Sequence, residues 1–178
     1  MKTLIKYSMG IGDRFGQQGS AQLEAFRLLH QNEKVLAAPV WNKSNREHTT
    51  VGTHPDSVRQ EADAAITSCR WDGAYYVDAD HINLKNVSLF TKSADFFTLD
   101  VADFIGETMD EGDIYGFLAR HENLVGTHEI EGLGETLTLT RHQAAEYLRN
   151  TLFAIRQAGR IYEHIVSERG NDDFVTEV

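Results

Sequence analysis

Along the first hundred residues, short apolar runs alternate with polar segments and then with amphipathic stretches. Leu4 to Met9 reads as a strand that breaks into glycines at 10, 12, 16 and 19. Ser20 then caps a helix over AQLEAFRLLHQ, with Leu23, Phe26, Leu28 and Leu29 as its apolar face. Val35 to Val40 repeats the strand and HPDSVRQEADAAITSCRW repeats the helix. In that helix Pro55 falls in the first turn, Asp56 at the positive end, and Val58, Ala62, Ala65, Ile66 and Cys69 along one side. Tyr75 to Val77 predicts a third strand, Phe96 to Val101 a fourth, and the stretch near residue 174, DDFVTEV, a fifth. Residues 107–139, with five glycines and many acids, predict an insertion or lid. Thr140 opens the longest helix, with Leu148, Leu152, Phe153, Ile155, Ile161, Tyr162 and Ile165 at helical spacing and Gly170 as its stop.

Strands that alternate with helices predict an α/β fold with a parallel sheet. The 178 residues suffice for one α/β domain spanning 1–178. The strand count predicts a partial (β/α) TIM-type barrel, roughly its first half, since complete barrels run to about 250 residues. Half a barrel leaves sheet edges open, to be covered by further strands or by a second copy in a homo-oligomer.

Composition narrows the partners. There are 27 acidic against 17 basic residues, for a net charge of −10, which argues against nucleic acid because phosphate contacts need clustered cations. The single cysteine, Cys69, excludes an internal disulfide. MKTLIKYSMG has no long apolar run, so neither a membrane span nor a signal peptide is expected, and the expected compartment is the cytoplasm.

The chemistry concentrates in GAYYVDADHINL, where an apolar strand delivers Asp78, Asp80 and His81 at its end. Parallel strands end where ligands bind, and alternation puts Asp78 and Asp80 on one side and His81 on the other unless the strand has turned. Gly10, Gly12 and Gly16 do not follow GxGxxG, so a tight turn is favoured over a dinucleotide loop, and Asp13 with Arg14 is the better functional pair. Lys43, Asn45, Arg46, Glu47 and His48 form the one concentrated cationic spot. It reads as an anion cradle, with Arg46 as bidentate clamp and Lys43 as point charge, or equally as a solvated loop. Asp100 reads as a second acid at the sheet edge or as a helix N-cap.

MGIGDRFGQQGSAQLEAF, PVWNKSNREH, EADAAI, YYVDADHINL and SADFFTLDVADFIG together resemble the tagaturonate epimerase family, enzymes that interconvert D-tagaturonate and D-fructuronate. The likeness runs from Met9 to the terminal TEV and implies an amino-terminal portion of a longer family pattern. It implies a divalent metal cation and an acid/base pair. On the matching positions Asp80 is the proton acceptor, His81 a metal ligand and Glu177 the proton donor, with the other metal ligands outside these residues. Asp13, Arg14, Lys43, Arg46 and Asp78 are then the expected contacts to a sugar-acid substrate. Two other classes remain: a metal-dependent aldolase or isomerase of sugar acids, and a non-catalytic truncated paralogue.

Overall fold

The computed structural model describes residues 2–178. Seven strands and five helices of four residues or more run in the order β1 (Ser8–Gly12), α1 (Gly19–Glu33), β2 (Ala38–Ser44), α2 (Asn45–Val51), α3 (Asp56–Cys69), β3 (Tyr76–Ile82), β4 (Phe96–Leu99), α4 (Glu111–Arg120), β5 (Gly126–Glu129), β6 (Thr136–Leu139), α5 (Arg141–Arg169) and the three-residue β7 (Val175–Glu177). Expected as one domain, the chain gathers into two compact units. One comprises the residues up to Asp100 with Arg160–Val178, and the other Val101–Gly159.

The first unit holds an all-parallel five-stranded sheet in the order β1-β2-β3-β4-β7. This is the α/β architecture read from the alternation, and neighbours in the sheet follow chain order as in an arc of a barrel. Side chains alternate across the sheet and so define its two faces. Trp41 and Val77 pack with Leu23 of α1 and with Val58, Ala62 and Ala65 of α3. On the opposite face Ala38, Val40, Tyr76 and Phe96 form a second apolar cluster, against which Ile5 and Val175 pack.

Several element boundaries differ from the sequence reading. β1 begins at Ser8 rather than Leu4, because the residues before it line the base of the second face. Tyr76 Oη donates to the Thr3 carbonyl at 3.0 Å and accepts from the Ile5 amide at 3.3 Å. β2 runs to Ser44, four residues past Val40, and β3 runs to Ile82, so the acids lie within the strand and not beyond it. Ser20 is not the cap of α1. The helix opens at Gly19, and the turn before it is held by Asp13, whose carboxylate accepts the amides of Phe15, Gly16, Gln17 and Gln18.

The second unit gives form to residues expected as an irregular insertion. Asp110 caps α4 by accepting from the Asp113 amide at 2.8 Å, and β5 and β6 pair as an antiparallel hairpin. Ile114 and Leu118 of α4 bury against Ala144, Ala145, Leu148 and Leu152 of α5. Ile155 departs from the predicted apolar stripe and is 46% exposed.

Candidate active site

Residues at two-residue steps keep one face of a strand. Above the apolar cluster, the face that carries Val40, Tyr76, Phe96 and Val175 therefore continues with Asn42 and Ser44, Asp78 and Asp80, Thr98, and Glu177. The pairing aligns Asn42 with Asp78, Ser44 with Asp80, and Thr98 with Glu177. One sheet face is thus greasy at its base and acidic at the C-terminal ends of its strands, the end where ligands bind in parallel sheets.

Asp78 is buried at 6% exposure. Its Oδ1 accepts the Thr98 amide at 3.1 Å, and Thr98 Oγ1 lies 3.0 Å from Asp78 Oδ2 and 3.1 Å from Glu177 Oε1. A hydroxyl carries a single proton, so it can donate to just one of two carboxyls, and the other contact needs a proton on the carboxyl itself. Burial identifies the protonated partner. It pushes Asp78 up to about 8, aided by the charges of Asp80 and Glu177, and the hydrogen bonds from Thr98 oppose it without cancelling it.

Asp80 is half-buried, and its carboxyl is raised by burial and by the nearby charges of Glu47 and Glu177, against the pull of His81 and Arg46. His81 has φ of +52°, and between Ala79 and Ile82 the strand spends one residue more than β4 does between Phe97 and Leu99. A bulge of this kind re-aims a side chain. Here it sets His81 Nε2 3.8 Å from Asp80 Oδ1, although strict alternation would separate them. The positive φ of a non-glycine residue is strain held in place by the sheet on either side.

A cavity of about 390 Å³ opens beside this strand end, lined by Ser44, Asn45, Arg46, His81, Asn86 and Asp100. A larger one, about 700 Å³, lies where α1 and α3 end, against Arg27, His30, Arg70 and Trp71. It lies away from the C-terminal strand ends, whereas the smaller cavity is lined by His81 of β3 and by Ser44 at the end of β2, so chemistry and not volume selects the smaller one.

The cationic segment 43–48 is a strand end and a helix, not a loop. Lys43 sits on the face toward the helices, 3% exposed, and its ammonium donates to the Arg14 carbonyl at 2.6 Å and to Thr53 Oγ1 at 2.9 Å. That placement turns it away from the acids. Arg46 is exposed at the cavity wall. Arg14 pairs with Glu47 at 2.5 Å, and Glu47 closes a capping box with Ser44 at the start of α2. His48 is buried with Nδ1 2.9 Å from Thr53 Oγ1; burial first, and then Lys43 and His54, lower it to about 4, so it is a neutral packing residue at pH 7.

Asp13 faces the amides of its own turn. Burial raises its carboxyl, but the hydrogen bonds from Gln18, Gln17, Glu61 and Phe15 outweigh that and leave it below the ordinary value. The structure therefore brings together Asp78, Asp80, His81 and Glu177, with Arg46 at the rim, and gives Lys43, Asp13 and Arg14 partners within the scaffold. Thr98, Ser44 and Glu47 enter the site although the sequence reading assigned them no role. The even-numbered register that carries Asp78 and Asp80 was the available signal for Ser44 and Thr98.

A metal implied by the resemblance finds few donors. Among the described residues no three His, Cys, Asp or Glu side chains come together as a cation site. His81 and Asp80 offer at most two donors, fewer than the three protein ligands of a catalytic centre. These residues alone do not fit such a centre.

A family model described as tagaturonate epimerase, UxaE, matches residues 2–171. The chain belongs to the tagaturonate epimerase family. Comparison with curated proteins finds none that matches. Among solved structures, the chain is similar to the native fructuronate-tagaturonate epimerase UxaE from Cohnella laeviribosi, with a TM-score of 0.71 at 18% identity. It is likewise similar to the form of that enzyme complexed with one glycerol, with a TM-score of 0.70 at 17% identity. In both cases 93% of this chain is covered but 35% of the other, so the chain spans about a third of those relatives' length. At this identity the likeness speaks for the fold. No helix among the described residues is long and apolar enough to cross a membrane.

Proposed function

We propose that this chain supplies the acid/base half of an epimerase that interconverts D-tagaturonate and D-fructuronate by reversible carbon–carbon bond cleavage. The observation that carries the reading is the convergence of Asp78, Asp80, Thr98 and Glu177 on one sheet face, with His81 turned beside Asp80 by the bulge. Membership of the family supports the substrate class.

In a sugar acid of this kind the inverted carbon is two bonds from the ketone, so its C–H bond is not acidified and direct deprotonation is closed. Cleavage of the adjacent carbon–carbon bond is open. The Asp80 carboxylate takes the proton of the hydroxyl on the inverted carbon, that carbon becomes an aldehyde, and the electron pair of the broken bond passes to the ketone side as an enolate. The aldehyde turns over, the enolate re-adds to its other face, and the new alkoxide takes a proton from Glu177, which is supplied in turn with the proton of Asp78 through the shared Thr98 hydroxyl. The raised Asp80 carboxyl suits a base, because a base gains strength as its pKa rises toward the working pH. Arg46, at the cavity rim, holds the substrate carboxylate against the repulsion of an acidic protein. A divalent cation belongs to this proposal with His81 as one donor, and its other donors come from outside these residues.

Asp80→Asn, introduced into a polypeptide of the relatives' length, is expected to lower turnover by about 10²- to 10⁴-fold. Retained turnover removes Asp80 from the role.

A further inference from the structure

Behind the site, the Glu61 side chain of α3 meets Asp13 in the turn between β1 and α1, carboxyl against carboxyl, in a hydrogen bond. The turn is built around this contact. Asp13 already accepts four backbone amides, from Phe15 to Gln18. A side chain at residue 19 would have its Cβ 3.2 Å from Glu61 Oε1 and 3.1 Å from the Ala65 Cβ, so glycine is what lets α1 come so close. Gly16, at φ +67°, lies 3.4 Å from Glu61 Oε2 by the same construction.

Two carboxylates in hydrogen-bond contact cannot both be ionised, and the one with better partners keeps the charge. Asp13 has the amides. Among the described residues Glu61 has a single amide, that of Gly19, and its Oε1 is buried without a hydrogen-bond partner. The charged groups facing Glu61 are Asp13 from the turn and Lys43 from β2, and the Lys43 ammonium is committed to the Arg14 carbonyl and Thr53. Beyond them stand Arg14 and Glu47, which pair with each other. The proton therefore belongs to Glu61, which donates to Asp13.

A line of named contacts leads from there to the cavity. Asp13 shapes the turn, Lys43 holds its Arg14 carbonyl, and the Arg14 guanidinium holds Glu47. Glu47 closes the Ser44 cap of α2, whose Asn45 and Arg46 line the cavity beside Asp80. We propose that the Glu61 carboxyl is a positioning residue, a proton-bearing latch that fixes the β1–α1 turn through Asp13 and so sets Arg14, Glu47 and Arg46 around the candidate active site. The inference rests on the proposed function only for what the latch serves; the latch itself is a property of the turn.

Burial, the hydrogen bond to Asp13 and the Asp13 charge raise Glu61 to about 7, against the Gly19 amide and Lys43. Its folded value lies above the ordinary carboxylic value of 4.5, so the latch is intact at low pH and released as pH rises through about 7.

The test is amide hydrogen exchange at residues 15–18, corrected for intrinsic rates, on the 178-residue chain. Protection in the unaltered chain is expected to fall about tenfold between about pH 6 and pH 8.5, the loss of one charge-assisted hydrogen bond. Glu61→Gln, whose amide still donates to Asp13, is expected to hold protection flat across that range. Carbon NMR of the Glu61 carboxyl in the unaltered chain is expected to titrate near 7, a readout that needs no variant to fold. A midpoint near 4.5, or a Glu61→Gln profile that follows the unaltered one, overturns the latch. Neither measurement uses epimerase turnover, so a titrating latch beside an inactive polypeptide of the relatives' length refutes the proposed function alone, and an active polypeptide of that length without the latch refutes the latch alone.

Discussion

Asp78 and Asp80 stand two residues apart on one strand, yet their surroundings separate them. Asp78 is enclosed and shares the Thr98 hydroxyl with Glu177, whereas Asp80 is half-open and has His81 and Arg46 within electrostatic reach. A carboxyl with a folded value near 8 and an ordinary value of 3.8 binds protons more tightly when folded. The Asp78 contribution to stability is then greatest below about pH 4 and falls as pH rises toward 8, by about 1.4 kcal/mol for each pH unit between the two values at the upper limit. Asp78→Asn mimics the neutral form and escapes this loss. The variant is expected to melt above the unaltered chain at pH 8, by several degrees, and level with it near pH 4, as read by thermal unfolding at both values. Equal midpoints at pH 8 would mean that Asp78 is ionised in the folded chain. The sequence pointed to these acids because an apolar run delivers them, but it could not rank them: Asp78 owes its proton to burial first and then to the charges of Asp80 and Glu177, the latter 99 residues away along the chain.

Strand and helix identity was legible because periodicity is local, while boundaries followed contacts that periodicity does not encode. Leu4 to Tyr7 has the composition of a strand and instead runs past Tyr76, because the second sheet face needs a cover at its base. The segment after Trp41 looked like a charged loop. In the fold Ser44 and Glu47 cap one another's backbone and start the seven-residue α2, a signal of the S-x-x-E type that was present in the sequence and not used. So short a helix depends on its cap more than on its propensity. Ser44→Ala is expected to cost about 1 kcal/mol in urea unfolding with the slope unchanged, and to loosen the cavity wall formed by Asn45 and Arg46. A shift below about 0.3 kcal/mol would mean that Glu47 holds α2 through Arg14 instead. The bulge at His81 was beyond reach of the sequence for a different reason: nothing in DADHI breaks the alternation, and the extra residue is seen only against β4.

At the scale of the molecule, sequential parallel strands and a face that turns from apolar to acidic give a frame with its reactive groups gathered at one end. The frame also limits what the chain does alone. Among the described residues no third His, Cys, Asp or Glu side chain joins His81 and Asp80 as a cation site. Two donors on one strand close a poor coordination sphere, because a cation of this class gains most from ligands that converge from separate elements and share its charge. A chain that spans about a third of its structural relatives therefore lacks partners for His81 within its own described residues. This yields a contrast between two lengths of polypeptide. In the 178-residue chain, His81→Ala is expected to leave bound divalent metal unchanged by elemental analysis after dialysis, since little is held in either form. In a polypeptide of the relatives' length the same substitution is expected to lower metal content at least about tenfold, the usual cost of losing one ligand or its support. Equal metal content in the longer pair would take His81 out of the coordination sphere. It would leave the bulge with a different task, that of holding an imidazole beside Asp80 as a proton carrier.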